Sequence, residues 1–376
     1  MVNKSPFNEN KILRHPEQIK AWLEKGWTLP IGLDIDLTNR CQHNCPGCLS
    51  AFNREDQEEI PFEKAKELIE EFGQLGIKAI NFGGGGEPTH HPRAAELIRL
   101  VKKNGMELGI FTNGSDLSDD LIDAIINSCT WVRISLDAGS PQVYRITHGM
   151  KDDSYQNVLD NLKRLVKKRN ESGRDVKIGT SYLIGSHTIH DIYNAAKNSK
   201  ECGVDYFRAR PFEYIPGTEL NEDRTQRLKE QLEMCKELED ENFNVSFPKV
   251  RVESRMEGNE QSAFFNQCHF PQVYTSISAD LKIHPCCHFK NSSRNARPTD
   301  NIDPKLGDLT NRKFLDVWTD LHRINTLKSL NISTCPNPCQ YNSSVVALYQ
   351  IKEAGIDRLS EFTDQAPDPI MHENFL

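Results

Sequence analysis

Short apolar runs alternate with amphipathic stretches between residues 33 and 210. Six of these runs have the length and the apolar, β-branched or aromatic composition of buried strands. They are residues 33–38, 78–82, 108–112, 131–136, 178–184 and 204–210. Such alternation is typical of repeated βα units, which surround a parallel sheet with helices. The pattern therefore predicts an α/β fold, and six units are enough for most of a barrel.

The stretches between these runs have helical periodicity. Ala65, Leu68 and Phe72 fall on one face, and Pro61 is suited to the start of that helix. After the sixth run, an apolar stripe over residues 228–238 predicts one more helix, which we expect to leave the barrel. The residues from 241 to 262 are polar and irregular, so we place a domain boundary there.

These patterns divide the chain into five predicted segments. An N-terminal segment (1–30) precedes the barrel domain (31–212), and a linker helix and connection (213–260) follow it. A cysteine-rich domain (261–345) and a C-terminal helix and tail (346–376) complete the 376 residues.

Composition and charge exclude several classes of protein. The net charge of −8 gives no general basic field that would attract nucleic acid or anionic lipid. No apolar stretch approaches the length of a membrane span, and the N-terminus lacks the pattern of a signal peptide. We therefore expect a cytoplasmic protein with no membrane or nucleic-acid partner. In a reducing compartment, the eleven cysteines are expected to be metal ligands, core residues or catalysts rather than disulfides.

Three cysteines stand close together immediately after the first predicted strand. Cys41, Cys45 and Cys48 have the spacing C-x3-C-x2-C, which puts them in a loop at the barrel face that carries active sites. Thiolate ligands suit iron–sulfur clusters and zinc. Three ligands on a four-iron cube leave one iron open to an outside molecule. A zinc site completed by His43 or by a downstream residue is the alternative.

The loop after the second strand is rich in glycine. The sequence GGGGEPTHHP (83–92) includes Gly85 and Gly86, where the backbone is able to approach a ligand closely, and Glu87, a candidate acceptor for an ammonium group. A glycine run alone is also typical of a tight turn. Its position at the same barrel face as the cysteines favours a binding role.

Polar residues also lie at the ends of the third and fourth strands and along the sixth. Asn113, Ser135 and Asp137 are suited to hold hydroxyl or amide groups at the mouth of a barrel, although each is also a common turn residue. Arg208 and Arg210 alternate along the sixth strand and therefore share one side of it. In a barrel interior they would be good partners for a carboxylate, and a structural ion pair is the alternative.

The combination of C-x3-C-x2-C, GGEP (85–88), TNG (112–114) and SLD (135–137) resembles the radical S-adenosylmethionine (radical SAM) enzymes. The resemblance implies a partial (β/α)6 barrel of the TIM type. It further implies that the three cysteines ligate a 4Fe-4S cluster and that SAM occupies the open iron. One departure is Gly47, since the family usually has an aromatic residue just before the third cysteine.

The same resemblance implies roles for the polar residues. Gly85, Gly86 and Glu87 would receive the SAM amino group, and Ser135 and Asp137 would lie near its ribose. Asn113 and Arg210 are further candidate cofactor contacts, with the substrate carboxylate as the alternative partner of Arg210. In this family an electron from the cluster cleaves SAM to a 5'-deoxyadenosyl radical, which removes hydrogen from an unreactive C–H bond.

A second set of cysteines lies toward the C-terminus. Cys268, Cys286, Cys335 and Cys339 supply four thiols, enough to close a cluster with no open iron. The segment resembles the twitch and SPASM extensions of radical SAM enzymes, and its cysteine count favours the shorter twitch form with one auxiliary 4Fe-4S cluster. Zinc at this site is the alternative. The adjacent Cys287 would be either a core residue, an alternative ligand or a hydrogen-atom donor.

These features predict a radical SAM oxidoreductase or epimerase. We expect it to dehydrogenate or epimerise a small polar metabolite such as a sugar, an aminocyclitol or another secondary-metabolite precursor. The alternative is a maturase of a ribosomally made peptide, although the segment before the first strand is shorter than the peptide-recognition domain that such enzymes often carry. A zinc-binding interaction module is a more remote alternative. The family implies a flavodoxin or ferredoxin type electron donor.

Overall fold

The computed structural model describes residues 10–51, 56–150, 154–211, 221–248, 252–253, 265, 267–290, 304–330, 332, 335, 339–366 and 371–376. Parts of the predicted N-terminal segment and of the predicted connection, including residues 1–9 and 254–260, lie outside these ranges. The described strands are β1 (Gly32–Ile35), β2 (Ala79–Phe82), β3 (Glu107–Thr112), β4 (Trp131–Ser135), β5 (Lys177–Ile184), β6 (Tyr206–Pro211), β7 (Asn244–Ser246), β8 (Tyr274–Ile277), β9 (Lys282–His284) and β10 (Gly307–Asp308).

Thirteen α-helices are found in the same ranges. They are α1 (Pro16–Lys25), α2 (Phe62–Leu75), α3 (Ala94–Lys103), α4 (Asp119–Ser128), α5 (Pro141–His148), α6 (Ser154–Ser172), α7 (Ile192–Glu201), α8 (Glu222–Lys236), α9 (Cys287–Lys290), α10 (Phe314–Trp318), α11 (Leu321–Lys328), α12 (Asn342–Ala354) and α13 (Leu359–Thr363).

The strands form one sheet in the order β10-β9-β8-β1-β2-β3-β4-β5-β6-β7. Strands β1 to β6 follow one another in chain order, and every neighbouring pair among them is parallel. At least one helix lies between each consecutive pair, which is the βα alternation that the apolar runs predict. The predicted α/β partial barrel is therefore confirmed, and all six strands agree with the predicted runs to within three residues at each end.

The region after β6 differs from the prediction. Helix α8 does not leave the barrel, because it packs against α7 and the amide of Tyr193 donates to Gln231 on α8. It leads into β7, which pairs in parallel with β6 inside a stretch predicted to be irregular. Strand β7 has only three residues, and Val245 is its one buried side chain, so no period of two is visible in the sequence.

The cysteine-rich segment extends the barrel sheet on its other side. Strand β8 pairs in parallel with β1, with Gly32 opposite Tyr274 and Ile35 opposite Ile277. Strands β9 and β10 then add antiparallel pairs. The sheet is thus continuous from the barrel into the segment that contains the second set of cysteines. The five segment boundaries given above stay predictions.

The two faces of the sheet have different characters. Alternate residues such as Leu33, Ile80 and Val132 are buried in the large apolar core beneath the helices. The residues between them point to the concave interior, and these include charged, polar and aromatic side chains such as Asp34 and Arg133. The barrel interior is therefore built to hold polar groups.

Three strand glycines make room for aromatic rings in that interior. A Cβ atom at Gly32, Gly109 or Gly179 would overlap a side chain of a neighbouring strand. The rings concerned belong to Tyr274, Trp131 and Tyr206, respectively. Phe375 packs against Trp131 with ring centroids 5.4 Å apart. The Lys11 ammonium donates to the Phe375 carbonyl at 3.1 Å. Aromatic side chains therefore fill the interior at the level of these glycines.

We expect Gly109→Ala to lower the free energy of unfolding by about 2 kcal/mol, since the added methyl overlaps the Trp131 ring and lies 2.5 Å from the Asn81 carboxamide oxygen. Denaturant unfolding of the iron-free protein measures the change. Gly185→Ala is the matched control, because the nearest atom to its Cβ, on Thr188, is 3.8 Å away. Equal stability of the two variants would contradict this account of the barrel interior.

Candidate active site at the carboxyl ends of the strands

Cys41, Cys45 and Cys48 lie in the loop that follows β1, and all three are partly exposed. The amide of Cys48 donates to the carbonyl of Cys45 at 3.2 Å, which folds the second half of the motif into a tight turn. The amide of Asn44 donates to the carbonyl of His148 at 3.1 Å and fastens the loop to the end of α5. The three thiols are thus presented at the face where the strands end, as predicted.

Asn113 connects this loop with the loop after β3. Its carboxamide nitrogen lies 4.0 Å from the Cys41 sulfur and donates to Gln42 at 3.2 Å. Its carboxamide oxygen accepts from Gln42 and from the Ser115 hydroxyl, at 3.3 and 2.8 Å. Asn113 therefore contacts a predicted cluster ligand in this structure, while its contact with SAM stays a prediction.

Aromatic side chains form a buried support beneath the cysteine loop. His148 stacks on Tyr144 with ring centroids 4.0 Å apart, and His43 meets His148 edge to face at 5.2 Å. Burial lowers the pKa of His148 to about 3, so the ring is neutral at physiological pH. Three potential metal-ligand atoms lie within 4.8 Å of one another here, one each on His43, Cys45 and His148. Zinc therefore remains the alternative metal at this site.

The glycine-rich loop is packed tightly against the cysteine loop. A Cβ at Gly86 would overlap the Arg40 carbonyl, and one at Gly85 would lie 3.0 Å from the Thr38 carbonyl. The amides of Gly86 and Glu87 donate to the carbonyls of Thr38 and Arg40, both at 2.8 Å. Glycine is therefore required by contact between the two loops, and direct contact of Gly85 and Gly86 with SAM stays a prediction.

Glu87 is buried, and both of its carboxylate oxygens accept hydrogen bonds. One oxygen accepts from the amide and hydroxyl of Thr89, at 3.1 and 2.8 Å, and from the Thr112 hydroxyl at 2.7 Å. The other accepts from the amide of Asn113 at 2.7 Å. Burial raises the pKa of Glu87, and these four donors oppose the shift. The carboxylate thus joins the loops after β2 and β3, and its predicted role as an ammonium acceptor is not tested.

Asp137 and Arg210 lie on either side of β5, and Ser135 is the last residue of β4. Asp137 has a φ of 46°, in the left-handed region that Asp and Asn tolerate, and its carboxylate accepts from the Leu183 amide at 2.8 Å. The Ser135 carbonyl accepts from His148 at 3.0 Å. Arg210 lies opposite Leu183 on β6, and its charge acts on Asp137. Asp137 and Arg210 therefore come together at one side of the mouth, while the contact of Ser135 with SAM stays a prediction.

We expect the protein to lose stability as the pH rises from about 4 to about 6, in part because of Asp137. Burial raises the pKa of Asp137 from 3.8 to about 6, with Arg210 and the Leu183 amide opposing the shift. The folded protein therefore holds this proton more tightly than the unfolded chain, and unfolding becomes easier once the proton dissociates. Asp137→Asn keeps the backbone conformation and should remove about 2 kcal/mol of this loss between pH 4 and 7.

Chemical denaturation of the iron-free protein at several pH values measures this difference. Asp223→Asn, at an exposed position on α8, is the control and should follow the unchanged protein. A slope in Asp137→Asn as steep as that of the unchanged protein would show that Asp137 does not carry this proton.

The four later cysteines also come together. Burial raises the pKa of Cys268 to about 12, and the neighbouring charge of Cys335 adds to the rise. Burial also raises the pKa of Cys286, with contributions from Cys287, Cys339 and Cys335. Thiolates this close in a buried place repel one another unless a metal compensates their charge, so the donor set fits a closed metal cluster.

Cys287 lies beside that set, and it interacts electrostatically with Cys286 and Cys339. Its sulfur lies 2.7 Å from the Gln340 carboxamide nitrogen and 3.5 Å from the Tyr341 hydroxyl. Burial raises its pKa, and the charge of Asp34 raises it further while those of Lys290 and Arg210 lower it. Cys287 therefore lies near charged side chains rather than in an apolar core, and its role as a hydrogen-atom donor stays a prediction.

The structure also shows interior residues that the sequence analysis did not identify. The Asp34 carboxylate accepts from Tyr274 at 2.7 Å, from Asn81 at 3.0 Å and from Tyr341 at 3.4 Å. Asp36 forms a buried ion pair with Lys290. The sequence does contain an indication of these residues, since LDIDL (33–37) has two acidic residues inside an otherwise apolar strand. Acidic side chains are rarely buried unless they are paired.

Comparison with known proteins identifies the class. Residues 35–199 match the model of the Radical SAM superfamily. This part of the chain, 44% of the 376 residues, is therefore similar to the radical SAM superfamily. The predicted resemblance is confirmed, and with it the cofactors that this family uses, a 4Fe-4S cluster and SAM. The auxiliary cluster stays a prediction.

Two curated relatives show similarity over part of their length. The tungsten-containing aldehyde ferredoxin oxidoreductase cofactor-modifying protein of Pyrococcus furiosus is 29% identical over 178 residues, which are 46% of this chain and 49% of that protein. The mycofactocin maturase MftC of Mycobacterium ulcerans is 30% identical over 127 residues, 34% of each chain. The matched parts thus span about half of the first relative and a third of the second.

Solved structures share the fold over most of the chain. SuiB of Streptococcus suis bound to S-adenosylmethionine superposes with a TM-score of 0.62 at 18% identity and covers 88% of this chain and 75% of that one. The anSMEcpe structure with bound AdoMet gives a TM-score of 0.56 at 14% identity and covers 92% and 93%. At these identities the likeness concerns the fold alone.

None of the helices in the described part of the chain is long and apolar enough to cross a bilayer.

Proposed function

We propose that this protein is a radical SAM maturase that modifies a ribosomally made peptide. The observation that carries the proposal is the three-cysteine loop packed against the glycine loop, inside a domain of this superfamily. The names of the relatives support a maturase over the metabolite enzyme predicted first, since they include mycofactocin maturase MftC and SuiB bound to precursor peptide SuiA.

The residues present fit the proposed cofactors. Cys41, Cys45 and Cys48 would hold the SAM-binding 4Fe-4S cluster, and the later four cysteines would hold an auxiliary one. When bound, the first cluster and SAM supply a 5'-deoxyadenosyl radical that removes a hydrogen atom from the substrate. The contact between Asn113 and the Cys41 sulfur orients that ligand and supplies a donor to it.

The interior side chains support a substrate position inside the barrel. Among the described residues, Arg210 makes no hydrogen bond or ion pair, so its guanidinium is available to a carboxylate of SAM or of the peptide. Ser135 and Asp137 would hold hydroxyl groups on the same side. The interior place of Cys287 suits a thiol that gives a hydrogen atom to a substrate radical.

The proposal is tested by anaerobic reconstitution with iron and sulfide, followed by incubation with reductant, SAM and peptides encoded beside the gene. Formation of 5'-deoxyadenosine together with a mass change in one peptide would support it. SAM cleavage that is stimulated by a sugar or aminocyclitol and by none of the peptides would overturn the peptide assignment in favour of the metabolite enzyme. A colourless protein with stoichiometric zinc would overturn both.

Epimerisation and dehydrogenation are distinguished by the role of Cys287. A thiol hydrogen exchanges with solvent, so epimerisation in D2O should place deuterium on the attacked carbon, whereas dehydrogenation should not. Cys287→Ala should suppress that incorporation, while Cys235→Ala, in the buried core, should leave it unchanged.

We further propose a cytoplasmic location and a flavodoxin or ferredoxin type electron donor.

A further inference from the structure

A buried ion pair lies directly beneath the glycine-rich loop. The Lys290 ammonium is 2.7 Å from one carboxylate oxygen of Asp36 and 2.6 Å from the other. The side chains are 3% and 0% exposed, respectively. Burying two charges costs several kcal/mol of desolvation free energy, which their attraction often fails to repay. The contribution of this ion pair to the stability of the fold is therefore a weak explanation for it. A better explanation is that the pair fixes the backbone conformation of the glycine loop.

The geometry concerns the glycine loop. A Cβ at Gly84 would overlap both Asp36 and the Lys290 ammonium, and the φ of +70° at Gly84 also requires glycine. A Cβ at Gly85 would lie 3.1 Å from the Asp36 Cβ. The backbone of the loop thus rests on the ion pair on one side, while its next two amides hold the cysteine loop on the other.

The same pair connects the loop with the second set of cysteines. Lys290 ends α9, and its amide donates to the carbonyl of Cys286 at 3.2 Å. Cys286 is one of the four thiols that come together at the predicted auxiliary site. Cys286 and Lys290 are thus joined through the backbone of α9, and Lys290 in turn lies against the glycine loop.

We propose that Asp36 and Lys290 are positioning residues that set the glycine loop for SAM and make SAM binding depend on the segment holding Cys286. This inference rests on the proposed function for the identity of the ligand. The loop geometry that it invokes is a property of the protein alone, and it is measurable without any cofactor.

The test uses a double variant, because either single substitution leaves an unpaired buried charge and endangers folding. Asp36→Asn combined with Lys290→Met removes both charges. Lys282→Met combined with Asp308→Asn is the matched control, since it removes an ion pair of the same C-terminal segment that joins β9 to β10. Both double variants are compared with the unchanged protein.

Hydrogen exchange in the iron-free protein is the first readout. The amides of Gly86 and Glu87 should exchange at least tenfold faster in Asp36→Asn/Lys290→Met and at the unchanged rate in the control. Unchanged exchange at these two amides would overturn the proposal, whatever happens with SAM. If the loaded unchanged protein binds no SAM, the proposed function fails, while the exchange result still decides the positioning role.

The dissociation constant for SAM, measured by equilibrium dialysis on the anaerobically loaded protein, is the second readout. It should rise about tenfold in the double variant, a factor within the usual range for coupled sites. Cys286→Ser should raise it similarly in the unchanged background and add nothing in the double variant, because the same connection is already broken. Additive effects would overturn the dependence on the Cys286 segment.

Discussion

Cys41→Ala is expected to lose the iron of the first site and all cleavage of SAM, while the second site keeps its iron. A four-iron cube with only two thiolates left is not retained, and its open iron is lost with it. With two cubes present, iron should fall from about eight to about four atoms per chain, and 5'-deoxyadenosine should fall to background. Iron analysis and chromatography of the products measure both.

Cys129→Ala is the matched control for this experiment. Cys129 is also a cysteine of the barrel half of the chain, but it is buried against the apolar core and contributes to neither set of predicted ligands. Its iron content and product formation should stay unchanged. Full iron content in Cys41→Ala would show that the first cluster is held by other residues.

Glu87→Ala is expected to lower the free energy of unfolding by about 3 kcal/mol or more. The carboxylate accepts four hydrogen bonds in a buried place, and its removal leaves the amides of Thr89 and Asn113 and two hydroxyl groups without their acceptor. Each buried donor left unpaired costs roughly 1 to 3 kcal/mol, although a water entering the space would recover part of the loss. Denaturant unfolding of the iron-free protein measures it.

Two further variants test whether the loss of stability comes from the hydrogen bonds to the Glu87 carboxylate. Glu87→Gln keeps one acceptor oxygen and should fall between the alanine variant and the unchanged protein. Glu96→Ala removes an exposed glutamate paired with Arg93, so it should change the stability little. If Glu87→Ala were as stable as Glu96→Ala, the carboxylate would not be holding the loops after β2 and β3 together.

The features that could be predicted from the sequence are local ones. Each strand from β1 to β6 is an apolar run of a few residues, and Cys41, Cys45 and Cys48 are placed together by their spacing. The side of the sixth strand that carries Arg210 follows from the alternation of side chains along a strand. Such signals depend on neighbours in the chain, so they are visible before the fold is known.

The remaining features depend on contacts between distant parts of the chain. Lys290 and Asp36 are 254 residues apart in sequence, so no spacing rule pairs them. The sequence places Glu87 in the loop after β2, but the four donors to its carboxylate depend on how two loops fold together. Strand β7 is not predictable from the sequence, because three residues with one buried apolar side chain show no periodicity.

The pairing of β8 with β1 has a consequence for how the chain folds. Tyr274 and Asp34 are in contact although they are 240 residues apart in sequence. The outer edge of β1 therefore stays uncovered until β8, a late part of the chain, pairs with it. Contacts of such long range slow folding, and an open strand edge promotes association with other chains. A fragment that ended at residue 212 would expose this edge permanently. Such a fragment should aggregate during expression, so dissection of the protein requires the whole chain.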